Sequence, residues 1–94
     1  EADVVGPLAL DLAISQTAAN CKGIDNPVAG NADILLTPEI ESGNILYKAL
    51  ATIANKTMAS VVVGSDVPIV VSSRGDSDSS KFHSIALACY LAEN

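Results

Sequence analysis

Two β-branched runs, ASVVV (59–63) and PIVVS (68–72), are separated by only the four residues GSDV (64–67), and this spacing limits the topology of the 94-residue chain more than any other feature. Val and Ile are stiff at χ1 and pack well on a pleated surface, so both runs predict strands. A parallel crossover between neighbouring strands takes about a dozen residues or more. The runs therefore either pair antiparallel, or the chain leaves one sheet for another between them. With two Tyr, one Phe and no Trp, any core has to be assembled from Ala, Val, Ile and Leu. The length suits one small domain at most, or a piece of something larger.

The rest of the chain alternates in the same α/β manner. LALDLAISQTAAN (8–20) sets Leu8, Leu12 and Ala19 along one stripe and predicts a helix. KGIDNPVAGN (22–31) gathers Gly23, Asn26, Pro27 and Gly30 and predicts a loop. ADILLT (32–37) is short and apolar, as a strand covered on both faces would be. Thr37, Pro38 and Glu39 predict a helix start with a capping hydroxyl and proline in the first turn. From Gly43, the four-residue repeat Ile45, Ala49, Ile53 predicts a second helix. SKFHSIALACYLAEN (80–94) predicts a closing helix with Phe82, Ile85, Ala86 and Cys89 on one side.

Charge excludes one class of partner. The formal charge is −6 with only five Lys and Arg, scattered along the chain, so no basic patch exists for a nucleic-acid backbone. Cys21 and Cys89 stand far apart, outside any metal-ligand spacing. Both read as reduced thiols of a cytoplasmic protein. No apolar run is long enough for a membrane span, and EADVVGPLAL does not resemble a signal peptide. The absence of an initiator Met, and an opening at Val4-Val5 that reads as the end of a strand, lead us to expect a fragment of a longer protein.

Chemistry concentrates in PIVVSSRGDSDSSK (68–81), a strand followed by a tight polar loop and a Ser- and Asp-rich helix start. Ligands of open α/β sheets gather beyond the carboxyl ends of strands, and a helix N-terminus offers free N–H groups to an anion. The planar fork of Arg74 matches phosphate oxygens two at a time. The plainer alternative makes Arg74 a solvated loop charge and the Ser and Asp residues helix caps. In IESGNILYK (40–48), Gly43 permits a tight turn and Asn44, Tyr47 and Lys48 line a helix start, where Lys48 would meet a nucleotide phosphate; an ordinary amphipathic helix explains the same letters. His83, the only imidazole, has no acid or nucleophile at a catalytic spacing and reads as a surface or packing residue.

NPVAGNADILLTPEIESGNILYKAL (26–50) and SSRG (72–75) resemble the signature regions of the phosphate acetyl/butyryltransferase family, and the likeness runs from Gly6 to about Leu91. The resemblance implies that residues 1–94 are the C-terminal portion of a phosphate acyltransferase domain. Its fold would be α/β, an αβα sandwich within a two-domain isocitrate dehydrogenase-like architecture, with a domain crossover near 64–67. It implies reversible transfer of a short-chain acyl group between coenzyme A and inorganic phosphate, giving acyl phosphate, without a covalent acyl-enzyme. It further implies no permanently bound cofactor, no metal, coenzyme A as substrate, no nucleic-acid or membrane partner, and a homodimer.

Matched residue by residue, Ser73 and Arg74 correspond to the family's catalytic Ser-Arg pair. Asn44, Lys48 and Gly75 fall beside the expected coenzyme A site. Acetyl-specific members carry an aspartate six residues after the Arg, where this chain has Ser80. Asp78, or Asp76, is then left as the candidate base for the coenzyme A thiol. RGDSDSSK is more like the butyryl and branched-chain members, which favours a butyryl-type acyl group. Related domains also serve as acyl-CoA-sensing modules without catalysis, and Ser80 in place of the acid suits that alternative. Residues 1–94 alone, lacking the other wall of the cleft, are expected to be inactive.

Overall fold

The computed structural model describes residues 1–93. They form helices α1 (Leu10–Ile14), α2 (Gln16–Cys21), α3 (Ile40–Lys48) and α4 (Asp78–Ala92), with a π-helical turn, Ala49–Ile53, continuing α3. The chain divides into two compact units, Glu1–Thr37 and the remainder from Pro38.

In the first unit the helix predicted over 8–20 is broken at Ser15. Ser15 closes α1 by donating its N–H to the Asp11 carbonyl at 2.8 Å and opens α2 by accepting the Ala18 N–H on Oγ at 3.2 Å. The break frees the carbonyls of Leu12 and Ala13, which the loop then satisfies: Gly30 N–H donates to Leu12 at 2.7 Å and Ala32 N–H to Ala13 at 3.1 Å. Asn26 shapes that loop by accepting the N–H groups of Val28 and Ala29 on Oδ1, at 3.0 and 2.8 Å. Ala13, Ala19 and Ala29 are the buried apolar residues here. Small side chains permit this backbone-on-backbone packing.

In the second unit, Glu39 caps α3 by accepting the Ser42 N–H on Oε2 at 2.8 Å. The helix starts at Ile40 rather than at Thr37-Pro38. Gly43 does not turn the chain; it lies inside α3 and donates to the Glu39 carbonyl. At Ala49 the register widens to the π form, and Asn55 then ends it in the left-handed region at φ 53°. Asn tolerates that region better than a branched residue. Ser77 caps α4 by accepting the Ser80 N–H at 3.1 Å.

The expected αβα sandwich is not formed. Among the described residues the only β pairing is one antiparallel bridge, Val62 with Ile69, closed by N–H to carbonyl bonds of 2.8 and 3.5 Å. The antiparallel alternative for the two runs is therefore the observed one, with Gly64 at φ 100° allowing the chain to reverse. Residues 32–37 and 4–5 join no ladder. A strand exists only through a neighbour that takes its N–H and C=O groups, and an apolar sheet face also needs a covering layer. Leu36 and Ile34, 96% and 86% exposed, have neither here. No large side chain is fully buried among the described residues.

The inward face of α4 is polar rather than apolar. Ser80 and Ser84, one turn apart, are its buried residues, whereas Phe82 and Ile85 of the expected apolar side are exposed. Ser80 Oγ accepts the Met58 N–H and Ser84 Oγ accepts the Ser60 N–H, each at 2.9 Å. Alternate N–H groups of an extended segment thus meet hydroxyls spaced i, i+4 on a helix, which stand in for the carbonyls of a neighbouring strand.

Candidate active site

Residues 73–76 close a turn on themselves. Asp76 N–H donates to the Ser73 carbonyl at 3.1 Å, and Ser73 N–H donates back to Asp76 Oδ2 at 3.0 Å. Gly75 N–H donates to Ser73 Oγ at 3.3 Å. The Ser73 oxygen therefore serves as an internal acceptor, which leaves its O–H proton to be donated elsewhere. Arg74 stands at the tip of the turn, exposed, and makes no hydrogen bond or ion pair among the described residues.

The end of α3 meets this turn. Burial first, and then the Asp76 carboxylate, push the Tyr47 phenol above its usual value of 10.0, while the Ser60 hydroxyl opposes them. Lys48 Nζ lies 5.3 Å from the centre of the Tyr47 ring, a cation–π distance. Tyr47 is thus near both the Lys48 ammonium and the Asp76 carboxylate.

An open groove of about 530 Å³ runs along this junction. Lys48 and Lys56 supply positive charge, Asp76 one carboxylate, and Thr52, Thr57, Ser77 and Ser79 hydroxyls; the Gly75 backbone forms part of the wall. The start of α4 adds partial positive charge, offset by Asp78 in its first turn. A polyanionic ligand with hydroxyl or amide groups suits such a lining. Among the described residues no group of three His, Cys, Asp or Glu side chains is placed to hold a metal ion.

The family model described as phosphate acetyl/butaryl transferase matches residues 1–89. The chain belongs to this family. It is 54% identical over 89 residues to a phosphate acetyltransferase of Thermotoga maritima, covering 95% of this chain and 30% of that protein. It is 56% identical over 90 residues to a probable phosphate butyryltransferase of Bacillus subtilis, covering 96% of this chain and 30% of the relative. The crystal structure of a branched-chain phosphotransacylase from Enterococcus faecalis V583 superposes with a TM-score of 0.84 at 44% identity, over 95% of this chain and 32% of that one. The chain thus spans about a third of the length of these relatives.

For a phosphate acetyl/butyryltransferase chain, the placement of the expected site residues is uneven. Lys48 and Gly75 line the groove, and Ser73 and Arg74 precede Gly75 in the same turn. Asp78 opens α4, exposed and outside that lining. Asn44 lies on a separate shallow depression of about 400 Å³ with Ile40, Glu41 and Ile45. Ser80 is buried and already accepts the Met58 N–H, so this family position serves the packing of residues 58–60. His83 is exposed, bonded through Nδ1 to the Ser79 carbonyl at 2.7 Å. Tyr47 and Asp76 as a linked pair, and Lys56, are what the sequence reading missed. SRGD (73–76) carries the S-x-x-D spacing in which the acid reaches back to the serine N–H, and this was the available signal.

Proposed function

We propose that the full-length protein containing this chain is a cytoplasmic, homodimeric acyltransferase that converts a short-chain acyl-CoA and inorganic phosphate reversibly to acyl phosphate and coenzyme A. The chain is read as the C-terminal portion of that enzyme, and as inactive by itself. One observation carries the reading: the unengaged Arg74 guanidinium stands on a turn pinned by three hydrogen bonds, beside a groove that holds Lys48.

In the forward direction a phosphate oxygen attacks the thioester carbonyl carbon, the C–S bond breaks, and the thiolate of coenzyme A leaves and takes up a proton. Arg74 draws the phosphate in and offsets the charge that grows on the oxygens. The Ser73 O–H donates to the same anion. Gly75, Lys48 and Asn44 hold coenzyme A, and no organic cofactor or metal enters the chemistry. In reverse the thiol, with a free pKa of ~8.5, has to lose its proton. Asp78 is the assigned acceptor, since no hydrogen bond or ion pair occupies its carboxylate among the described residues.

The test is butyryl-CoA phosphorolysis by the full-length protein, followed through release of the coenzyme A thiol. Arg74→Ala is expected to lower turnover about 100- to 1000-fold. Turnover like that of the wild type removes Arg74 from the mechanism. The butyryl-type preference rests on the likeness of RGDSDSSK to butyryl and branched-chain members. A higher kcat/KM for acetyl-CoA than for butyryl-CoA overturns it. The engaged hydroxyl of Ser80, unable to replace an acid, favours the second reading of a non-catalytic acyl-CoA sensor. Acetyl-CoA binding without any phosphate-dependent turnover selects that reading.

A further inference from the structure

We propose that Asp76 is a positioning residue for this transfer: by accepting the Ser73 N–H on Oδ2, it fixes the Ser73–Arg74–Gly75 turn so that the Ser73 hydroxyl and the Arg74 guanidinium address one anion. The inference rests on the acyl-transfer reading above.

A turn of four residues bearing an exposed Arg has many nearly equivalent conformations, and each of them would aim the guanidinium elsewhere. Here the turn is held at both ends by the same residue, through its backbone N–H and its carboxylate. Asp76 is itself half-buried, and it faces Tyr47 at the end of α3. The Asp76 brace consists of its two hydrogen bonds to Ser73, one through the backbone N–H and one through the carboxylate. The carboxylate oxygen that accepts the Ser73 N–H already has a structural task. Asp78 has none, which separates the two acids by role.

The experiment compares Asp76→Ala and Asp76→Asn in the full-length protein. Asn keeps one side-chain oxygen able to accept the Ser73 N–H, whereas Ala keeps none. Asp76→Ala should lower kcat for butyryl-CoA phosphorolysis about 10- to 100-fold, the scale of a reacting group misplaced by about an ångström. The KM for butyryl-CoA should stay near wild type, and amide exchange at Ser73 should accelerate. Asp76→Asn should restore most of the kcat and the Ser73 protection. An Asn variant as slow as the Ala variant, with Ser73 still protected, overturns the assignment in favour of proton transfer by Asp76. An Ala variant with wild-type kcat overturns it outright while leaving the transfer reading standing. A folded wild-type protein that releases no coenzyme A in the presence of phosphate overturns the transfer reading itself.

Discussion

The backbone N–H of Met58 donates to Ser80 Oγ at 2.9 Å, and the hydroxyl belongs to a buried residue on the inner face of α4. Removing that oxygen strands an N–H that is otherwise satisfied. Ser80→Ala should therefore cost about 1–3 kcal/mol, and Ser84→Ala, which orphans the Ser60 N–H, a similar amount. Urea unfolding of the full-length protein checks both. A double variant costing much less than the two single losses together would show that the serines act as one clamp.

Gly30 permits no side chain. Its φ is +78°, and a Cβ there would fall 2.7 Å from Gln16 Cα, a backbone atom that cannot swing aside. Gly30→Ala should destabilise the protein by about 1–3 kcal/mol, the range for forced overpacking. Gly23, also at positive φ but in open space, should tolerate Ala at a smaller cost. Thermal unfolding of the two variants, compared side by side, decides the point.

Asn55 occupies the left-handed region at φ 53° where the π turn ends. Asn55→Gly should leave stability nearly unchanged, and Asn55→Val should lower it by roughly 1–2 kcal/mol because a branched Cβ resists that conformation. Equal melting temperatures for the two variants would contradict this.

The capping carboxylate Glu39 sits below its ordinary value of 4.5, because of hydrogen bonds from Ser42. Asp11 sits below 3.8, chiefly through its hydrogen bond from Lys22, whose Nζ is 2.9 Å away. Both folded-state values are depressed, so the stability they contribute is present above the ordinary values and is lost as pH falls through the depressed ones. Tyr47 has the opposite sense: its phenol is raised above 10.0, so its contribution holds below pH 10.0 and is lost as pH rises beyond it. Carboxyl and tyrosine titrations by NMR check the directions. Glu39→Gln should flatten the acid limb, and Tyr47→Phe should flatten the alkaline limb.

If Asp78 takes the proton of the coenzyme A thiol, Asp78→Asn should slow the acyl phosphate to acyl-CoA direction about 100-fold or more near neutral pH. The defect should shrink as pH rises past ~8.5, where the thiol ionises unaided. A loss independent of pH would remove Asp78 as the base and leave it only the favourable place of an acid in the first turn of α4.

Local chemistry was readable from the letters. The Ser-rich segment before α4 supplies a capping hydroxyl, the apolar repeat Ile45, Ala49, Ile53 lies in α3 and its continuation, and the family likeness read from 26–50 and 72–75 holds over residues 1–89. These features depend on neighbours within a few residues, where side-chain size and hydrogen bonding already decide the outcome. What the letters did not decide depends on partners distant in sequence. Whether 32–37 is a strand turns on a neighbour to receive its backbone groups, and none of the described residues does so. The break at Ser15 persists because Gly30 and Ala32 accept the duty of satisfying freed carbonyls. Only the folded chain brings Tyr47 near Asp76, and commits the Ser80 hydroxyl to the Met58 N–H even though Ser80 also lines the groove. A composition can offer hydroxyls and carboxylates, but their roles follow from which backbone groups the tertiary fold leaves in need of them.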